Sequence, residues 1–208
     1  MALKDTIKPT RSELIELRKK RMLSEMGHKL LKMKRDGLIM EFFNILNEAK
    51  DLRREIVEDY KDAEEKIALT ESVDGVIAVK SAAFSLKDKP EITLLSKDVM
   101  GVIVPLIEGR GITKKAVERG YGVISTSGRI DEAAKSYEKL VEKVILAAEI
   151  ETTIRKLLDE IEKTKRRVNA LEFRVIPELM EAEAFIRLRL EELERENIFR
   201  LKRVKGTN

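Results

Sequence analysis

From Leu14 onward apolar residues return every three, four or seven positions: Leu14, Leu17, Leu31, Leu38, Phe42, Ile45, Ala49, Leu52, Ile56 and Ala63. That is a heptad seam, the mark of a helix that buries one stripe against another helix. Thr10-Arg11-Ser12-Glu13 stands directly before it with the S/T-x-x-E form of a capping box, so a helix is predicted to begin near Arg11. No proline follows until Pro90. A second seam opens around Ser127 to Asp131 and runs through Tyr137, Leu140, Val144, Ala147, Ile154, Leu158, Ile161, Val168, Val175, Leu179, Ala182, Ile186 and Leu193. At about 1.5 Å per residue the two helices would measure roughly 90 Å and 105 Å. Helices of this kind draw their stability from packing, so each needs a partner along its length.

Between the seams the pattern changes. Seven of the ten glycines and two of the four prolines fall between residues 75 and 128. Within this stretch Val76 to Ser81 and Val99 to Val104 are β-branched runs bounded by breakers, which predicts two short strands able to pair as a hairpin. Gly109 to Gly128 reads as loop. The simplest way for two long seams to bury each other is to fold back antiparallel. The expected fold is therefore dominated by α-helix: a long antiparallel two-helix coiled coil with a small glycine-rich insert at the end opposite the termini. The segments are a tail over 1–9, a helix over 10–72, the insert over 73–128, a helix over 129–202 and a tail over 203–208.

Some polar residues interrupt the seams. Arg21, Ser24, His28 and Arg35 occupy apolar positions of the first heptad, and Lys165 and Glu172 do so in the second. One reading is a loosened, solvated stretch. The sharper one pairs Glu172 with His28 or Arg35 as a polar layer that fixes register. Pro177 lies inside the second helix, where it lacks an amide donor and crowds the carbonyl of Phe173, so a kink is predicted there.

Composition narrows the chemistry. Charged residues make up 38% and aromatics 4%, with no Trp, which suits long paired helices better than a compact globule. There is no Cys, hence no disulfide, thiolate site or cysteine nucleophile. His28 is the only histidine, so no two-histidine metal site forms. Gly109-Arg-Gly111 and Gly120-Tyr-Gly122 complete no phosphate-binding motif. The acidic pairs Glu64-Glu65 and Glu191-Glu192 sit among abundant Lys and Arg and read as solvated ion pairs. No catalytic, cofactor or metal site is expected. Nor does any apolar run reach the length of a signal peptide or membrane span, so a soluble protein is expected.

The net charge of +4 is unevenly placed: residues 1–35 hold eleven Lys/Arg against four Asp/Glu, and residues 186–208 hold seven against four. In an antiparallel hairpin both basic ends meet at one tip. Arg11, Arg18, Lys19, Lys20, Arg200, Lys202 and Arg203 would give this tip its charge, with Leu14, Ile198 and Phe199 as apolar neighbours, and together they form the expected partner-binding surface. A nucleic-acid arm would also explain a basic tip, but the body is acidic and lacks stacking aromatics. A scaffolding coiled coil is the other alternative class.

Four stretches carry a resemblance: Pro9-Thr10-Arg11 with Glu13-Leu14; Gly27 to Lys32 (GHKLLK) followed by Lys34-Arg35-Asp36; Met100 to Pro105 (MGVIVP); and Arg166 to Leu179 (RRVNALEFRVIPEL). In this order they resemble the D subunit of archaeal-type and vacuolar-type ATPases over essentially the whole chain. Met33 and Gly37 depart from the pattern, and Gly37 should cost its helix roughly 1 kcal/mol relative to Ala. The resemblance implies a non-catalytic central rotor stalk, peripheral to the membrane on the cytoplasmic side and without a cofactor. Its implied partners are the catalytic and non-catalytic nucleotide-binding subunits (A and B), the small F subunit on the stalk, and the funnel-shaped C subunit that leads to the membrane ring. Nucleic acid and direct membrane insertion are not implied.

Overall fold

The computed structural model describes residues 8–85, 90–114, 119–121 and 126–206. Its elements run α1 (Arg11–Asp74), α2 (Val76–Ser85), β1 (Glu91–Val99), β2 (Val102–Arg110), α3 (Gly128–Ala170), a π-helical turn (Leu171–Val175) and α4 (Ile176–Lys205). The fold is a helical coiled coil carrying one small two-stranded insert. It divides into two compact units, one made of residues up to Gly37 and from Ile161 onward, the other of Leu38–Glu160.

In the first unit the start of α1 pairs with α4. Thr10 Oγ1 accepts the amide of Glu13 at 3.2 Å, which satisfies one of the free donors at the helix start. Leu17, Ala182 and Ile186 are buried together, and Leu14, Leu179, Phe185 and Leu190 pack around them. Before α4, the amide of Ile176 bonds back to the carbonyl of Leu171, the i to i−5 pattern of a π turn. Pro177 follows at the next position. The wider turn fits a proline that can neither donate to nor sit close over the carbonyl of Phe173.

In the second unit α1 buries Leu38 and Ala63, and α3 buries Leu140 and Leu157. Every expected seam position of α1 is buried or half-buried. In the second helix the register differs. Thr153, Leu157 and Thr164 are buried, whereas the expected Val144, Leu158 and Leu193 are exposed, and so is Lys165. An α-helix of 3.6 residues per turn drifts about 20° per heptad against a strict 3.5 repeat. Two of the positions that drift inward are threonines, which an apolar count passes over.

The insert also differs from expectation. Val76 to Ser81 is not a strand but the start of α2, which follows α1 after a single residue, Gly75, at φ +86°. The helical period brings Val79, Ala82 and Ala83 to one side, where they line an apolar cavity of about 210 Å³ with Ile67, Tyr121 and Ile130. This burial outweighs the β preference of Val76, Ile77 and Val79. Nor is Val99 to Val104 one strand: the turn breaks it, so that Val99 ends β1 (Glu91–Val99) and Val102 begins β2 (Val102–Arg110). β1 and β2 pair antiparallel from Glu91 with Arg110 to Val99 with Val102. Met100 and Gly101 join them, both at positive φ (53° and 83°), as a two-residue turn that matches the strand twist requires. Asp98 Oδ1 accepts the Gly101 amide at 2.7 Å and so braces this turn.

Candidate partner-binding surfaces

The expected tip residues all lie in the first unit, but in different states. Arg11 Nη2 bonds Glu194 Oε1 at 2.6 Å, and Arg18 Nε bonds Glu183 Oε1 at 3.0 Å, so these two cations hold α1 to α4. Arg21 adds a second contact to Glu183 at 3.2 Å. Leu14 belongs to the core. Lys19 and Lys20 are exposed. From Glu191 to Gly206 every residue is exposed, including Ile198, Phe199, Leu201 and Val204 among Arg195, Arg200, Lys202, Arg203 and Lys205. Arg200 reaches Glu196 at 3.7 Å, and Lys202 lends its carbonyl to the Gly206 amide. The last turns of α4 thus present interleaved apolar and basic side chains.

The polar residues of the seam separate. His28 Nε2 lies 3.4 Å from Glu172 Oε2, but it has no hydrogen-bond partner among the described residues, and Glu172 remains half exposed. Arg35 turns to its neighbour Asp36, donating from Nε and Nη2 to Oδ1 at 3.0 and 2.8 Å.

The second unit contains a polar assembly that the sequence pattern does not single out. Arg119 has no side-chain exposure. Its Nε and Nη2 donate to the two oxygens of Glu138 at 3.0 and 2.9 Å, and Nη1 donates to Asp131 Oδ1 at 2.8 Å and to the Asp131 carbonyl at 3.3 Å. Tyr121 donates its hydroxyl to Asp131 Oδ1 at 2.6 Å. Burial opposes the Arg119 charge, yet the bonds to Glu138, Tyr121 and Asp131 hold its pKa above the ordinary value. Tyr121, followed by Arg119, keeps the Asp131 carboxyl below the usual carboxylate range against the effect of burial. Burial pushes the Tyr121 phenol up.

This assembly continues along α3. Glu138 Oε2 also accepts the Lys114 amide at 3.4 Å, and Glu142 accepts the Thr113 hydroxyl. Further on, Glu149 Oε2 accepts the Ile107 amide at 2.8 Å, and Lys156 Nζ donates to the Ile103 carbonyl at 2.9 Å. Asp131, Glu138, Glu142, Glu149 and Lys156 recur at steps of seven or four, so they share one face of α3 and clamp the insert in reverse order along it. The recurrence of charge at heptad spacing opposite a glycine-rich insert was the available signal. It resembles a solvated helix face and is easily passed over.

Elsewhere on α3, Lys143 Nζ lies 2.6 Å from Asp59 Oδ2 and 2.8 Å from Glu55 Oε2, tying α3 to α1. The Lys143 bond holds the Asp59 carboxyl low despite burial, and Asp59 with Glu55 raises the Lys143 ammonium. Among the described residues no cluster of His, Cys, Asp and Glu suited to a metal ion occurs, and no helix is long and apolar enough to cross a membrane.

Paired long helices, a clamped hairpin insert and a terminal helix that exposes basic and apolar side chains define a coiled-coil protein. The family model for the ATP synthase D subunit matches residues 13–206, and the chain belongs to that family. It is 67% identical over 199 residues to the A-type ATP synthase D subunit of Methanococcoides burtonii, spanning 96% of this chain and 97% of the relative. The protein of the same name from Methanosarcina acetivorans is 62% identical over 206 residues, covering 99% and 98%. That of Archaeoglobus fulgidus is 54% identical over 200 residues, 96% of each chain.

Proposed function

We propose that the chain is the non-catalytic central rotor stalk of an A-type ATP synthase, passing torque between the nucleotide-binding hexamer of A and B subunits and the ion-translocating membrane rotor. The F subunit on the stalk and the funnel-shaped C subunit toward the membrane complete its partners in this reading. Such a complex would place it at the cytoplasmic face of the membrane.

The observation that carries the reading is the end of α4. From Glu191 to Lys205 every residue of this helix is exposed, Ile198, Phe199, Leu201 and Val204 among them. About four turns of helix that bury so little of their own surface gain little stability from packing. A helix of this composition is stable when other subunits surround it, its apolar residues against a greasy collar and its cations against acidic or carbonyl-rich rims. A single two-helix coiled coil has no threefold symmetry. Inside a pseudo-threefold ring it contacts each nucleotide site differently and biases each toward a different state, which is a population shift through differential contacts.

Native mass spectrometry of the chain mixed with its F partner and a purified A/B ring tests this. One copy per hexamer, with no ATP hydrolysis by the chain alone, is expected. Several symmetric copies, or none, would return the coiled-coil scaffold as the better reading.

A further inference from the structure

The two edges of the β-hairpin are finished differently. In a register that pairs Val99 with Val102 across a two-residue turn, the pairs Val99–Val102, Lys97–Val104, Leu95–Leu106 and Thr93–Glu108 exchange hydrogen bonds. The alternate pairs, Asp98–Ile103, Ser96–Pro105, Leu94–Ile107 and Ile92–Gly109, turn their amides and carbonyls outward. On β2 three of these outward groups are occupied or missing. The Ile103 carbonyl takes Lys156, the Ile107 amide goes to Glu149, and Pro105 has no amide to leave open. On β1 the outward backbone groups of Ile92, Leu94, Ser96 and Asp98 have no partner among the described residues.

Exposed strand edges are ordinarily blunted by proline, bulges, inward charge or a covering element. Among the described residues β1 has no proline, no bulge and no covering element. Its pairing is uninterrupted over nine residues, it contains no proline, and its one lysine, Lys97, shares the other face with buried Val104. The face of β1 that carries Ile92, Leu94, Ser96 and Asp98 exposes Ile92 and Leu94 beside the open edge. Its one charge, Asp98, is engaged by the Gly101 amide. A row of alternating backbone donors and acceptors is matched by another extended backbone, and an uncharged apolar face is matched by uncharged apolar side chains.

We propose that β1 is a docking edge onto which an extended, uncharged apolar segment of a partner polypeptide adds as a third strand. Its backbone bonds Ile92, Leu94, Ser96 and Asp98, and its alternate side chains rest on Ile92 and Leu94. The relatives belong to a multi-subunit ATP synthase, so the partner is sought there. The proposal rests on that family membership and is independent of the rotary reading.

Amide hydrogen exchange, resolved to single residues, is compared between the free full-length chain and the same chain in the purified ATP synthase. The edge amides of Ile92, Leu94, Ser96 and Asp98 are expected to slow at least tenfold on assembly, while Thr93, Leu95 and Lys97 are slow in both states. Ser96→Pro removes one edge donor directly opposite Pro105 and leaves the internal ladder intact, so it should abolish the protection at Ile92 and Leu94. If Leu95 exchanges faster in the free variant, the hairpin itself has been lost. Leu94→Lys, which keeps the backbone and breaks the apolar contact, then gives the same reading. Edge amides equally fast in both states overturn the proposal, even with one copy of the chain in the complex. Protection arising through a concentration-dependent dimer of the free chain also overturns it, in favour of self-pairing.

Discussion

Arg119 grips Glu138 through two parallel hydrogen bonds, at 3.0 and 2.9 Å, with its guanidinium wholly out of solvent. Removing one partner of such a buried pair leaves the other uncompensated, which costs roughly 3 kcal/mol or more. Arg119→Met should lower the stability of the second unit by about that amount in urea unfolding. Arg119→Lys should fail to restore it, because an ammonium cannot supply the fork.

Asp131 and Asp59 both titrate below the ordinary carboxylate value of 3.8 in the fold, held there by Tyr121 and Lys143 respectively. A depressed carboxyl contributes stability above its unfolded pKa and loses it as pH falls through its folded one. Melting temperature should therefore decline as pH drops from about 5 through and below 3.8, and the decline should be shallower in Asp131→Asn. At the alkaline end Tyr121 is raised above 10.0, so its contribution is complete below that pH and fades above it.

Two glycines should respond in opposite ways to alanine. Gly120 sits at φ +82°, and an added Cβ would lie 2.9 Å from the Ser85 carbonyl oxygen, so Gly120→Ala should destabilise by roughly 1–2 kcal/mol. Gly27 lies within α1 with nothing within 4 Å of an added Cβ, and Gly27→Ala should stabilise by about 0.5–1 kcal/mol. Thermal denaturation distinguishes the two.

Ile186 is completely buried against Leu17 and Ala182. Ile186→Ala should cost about 2–5 kcal/mol by chemical denaturation. The same change at exposed Ile198 should leave the isolated chain unaffected and weaken its assembly with the ring.

Lys19→Gln, Lys20→Gln, Arg200→Gln and Lys202→Gln together should weaken assembly most at low ionic strength and flatten its salt dependence. Arg18→Gln acts differently. It breaks the bond to Glu183 and should lower the stability of the chain itself, by up to about 1 kcal/mol because Arg18 is half exposed.

The sequence disclosed the first helix most fully, because its cap at Thr10 and its apolar period are local signals, and every seam position from Leu14 to Ala63 is at least half covered. The second helix was legible in extent and not in register. Thr153 and Thr164 occupy buried positions that hydrophobic counting skips, and Leu157 is buried beside an exposed Leu158. Val76 to Ser81 has the composition of a strand and folds as helix because packing against Tyr121 and Ile130 decides it. The expected strand Val99 to Val104 instead contains the turn at Met100-Gly101, because its β-branched residues continue on both sides of the reversal.

Among the surface residues, charge alone did not tell cations that brace the fold from those that face outward. Arg11 and Arg18 bond to glutamates of α4, whereas Lys19 and Lys20 stand exposed. Arg119 was invisible because its partners, Asp131 and Glu138, lie 12 and 19 residues away, on a helix whose acidic face looks solvated.

The rotor assignment is tested most directly by watching the chain turn. Because the sequence has no cysteine, Glu65→Cys at an exposed position of α1 gives one attachment point for a bead or fluorophore. With the A/B ring fixed to a surface and ATP supplied, the account predicts unidirectional rotation of the probe in three main steps per turn. A chain that stays bound and stationary while the ring hydrolyses ATP would contradict it.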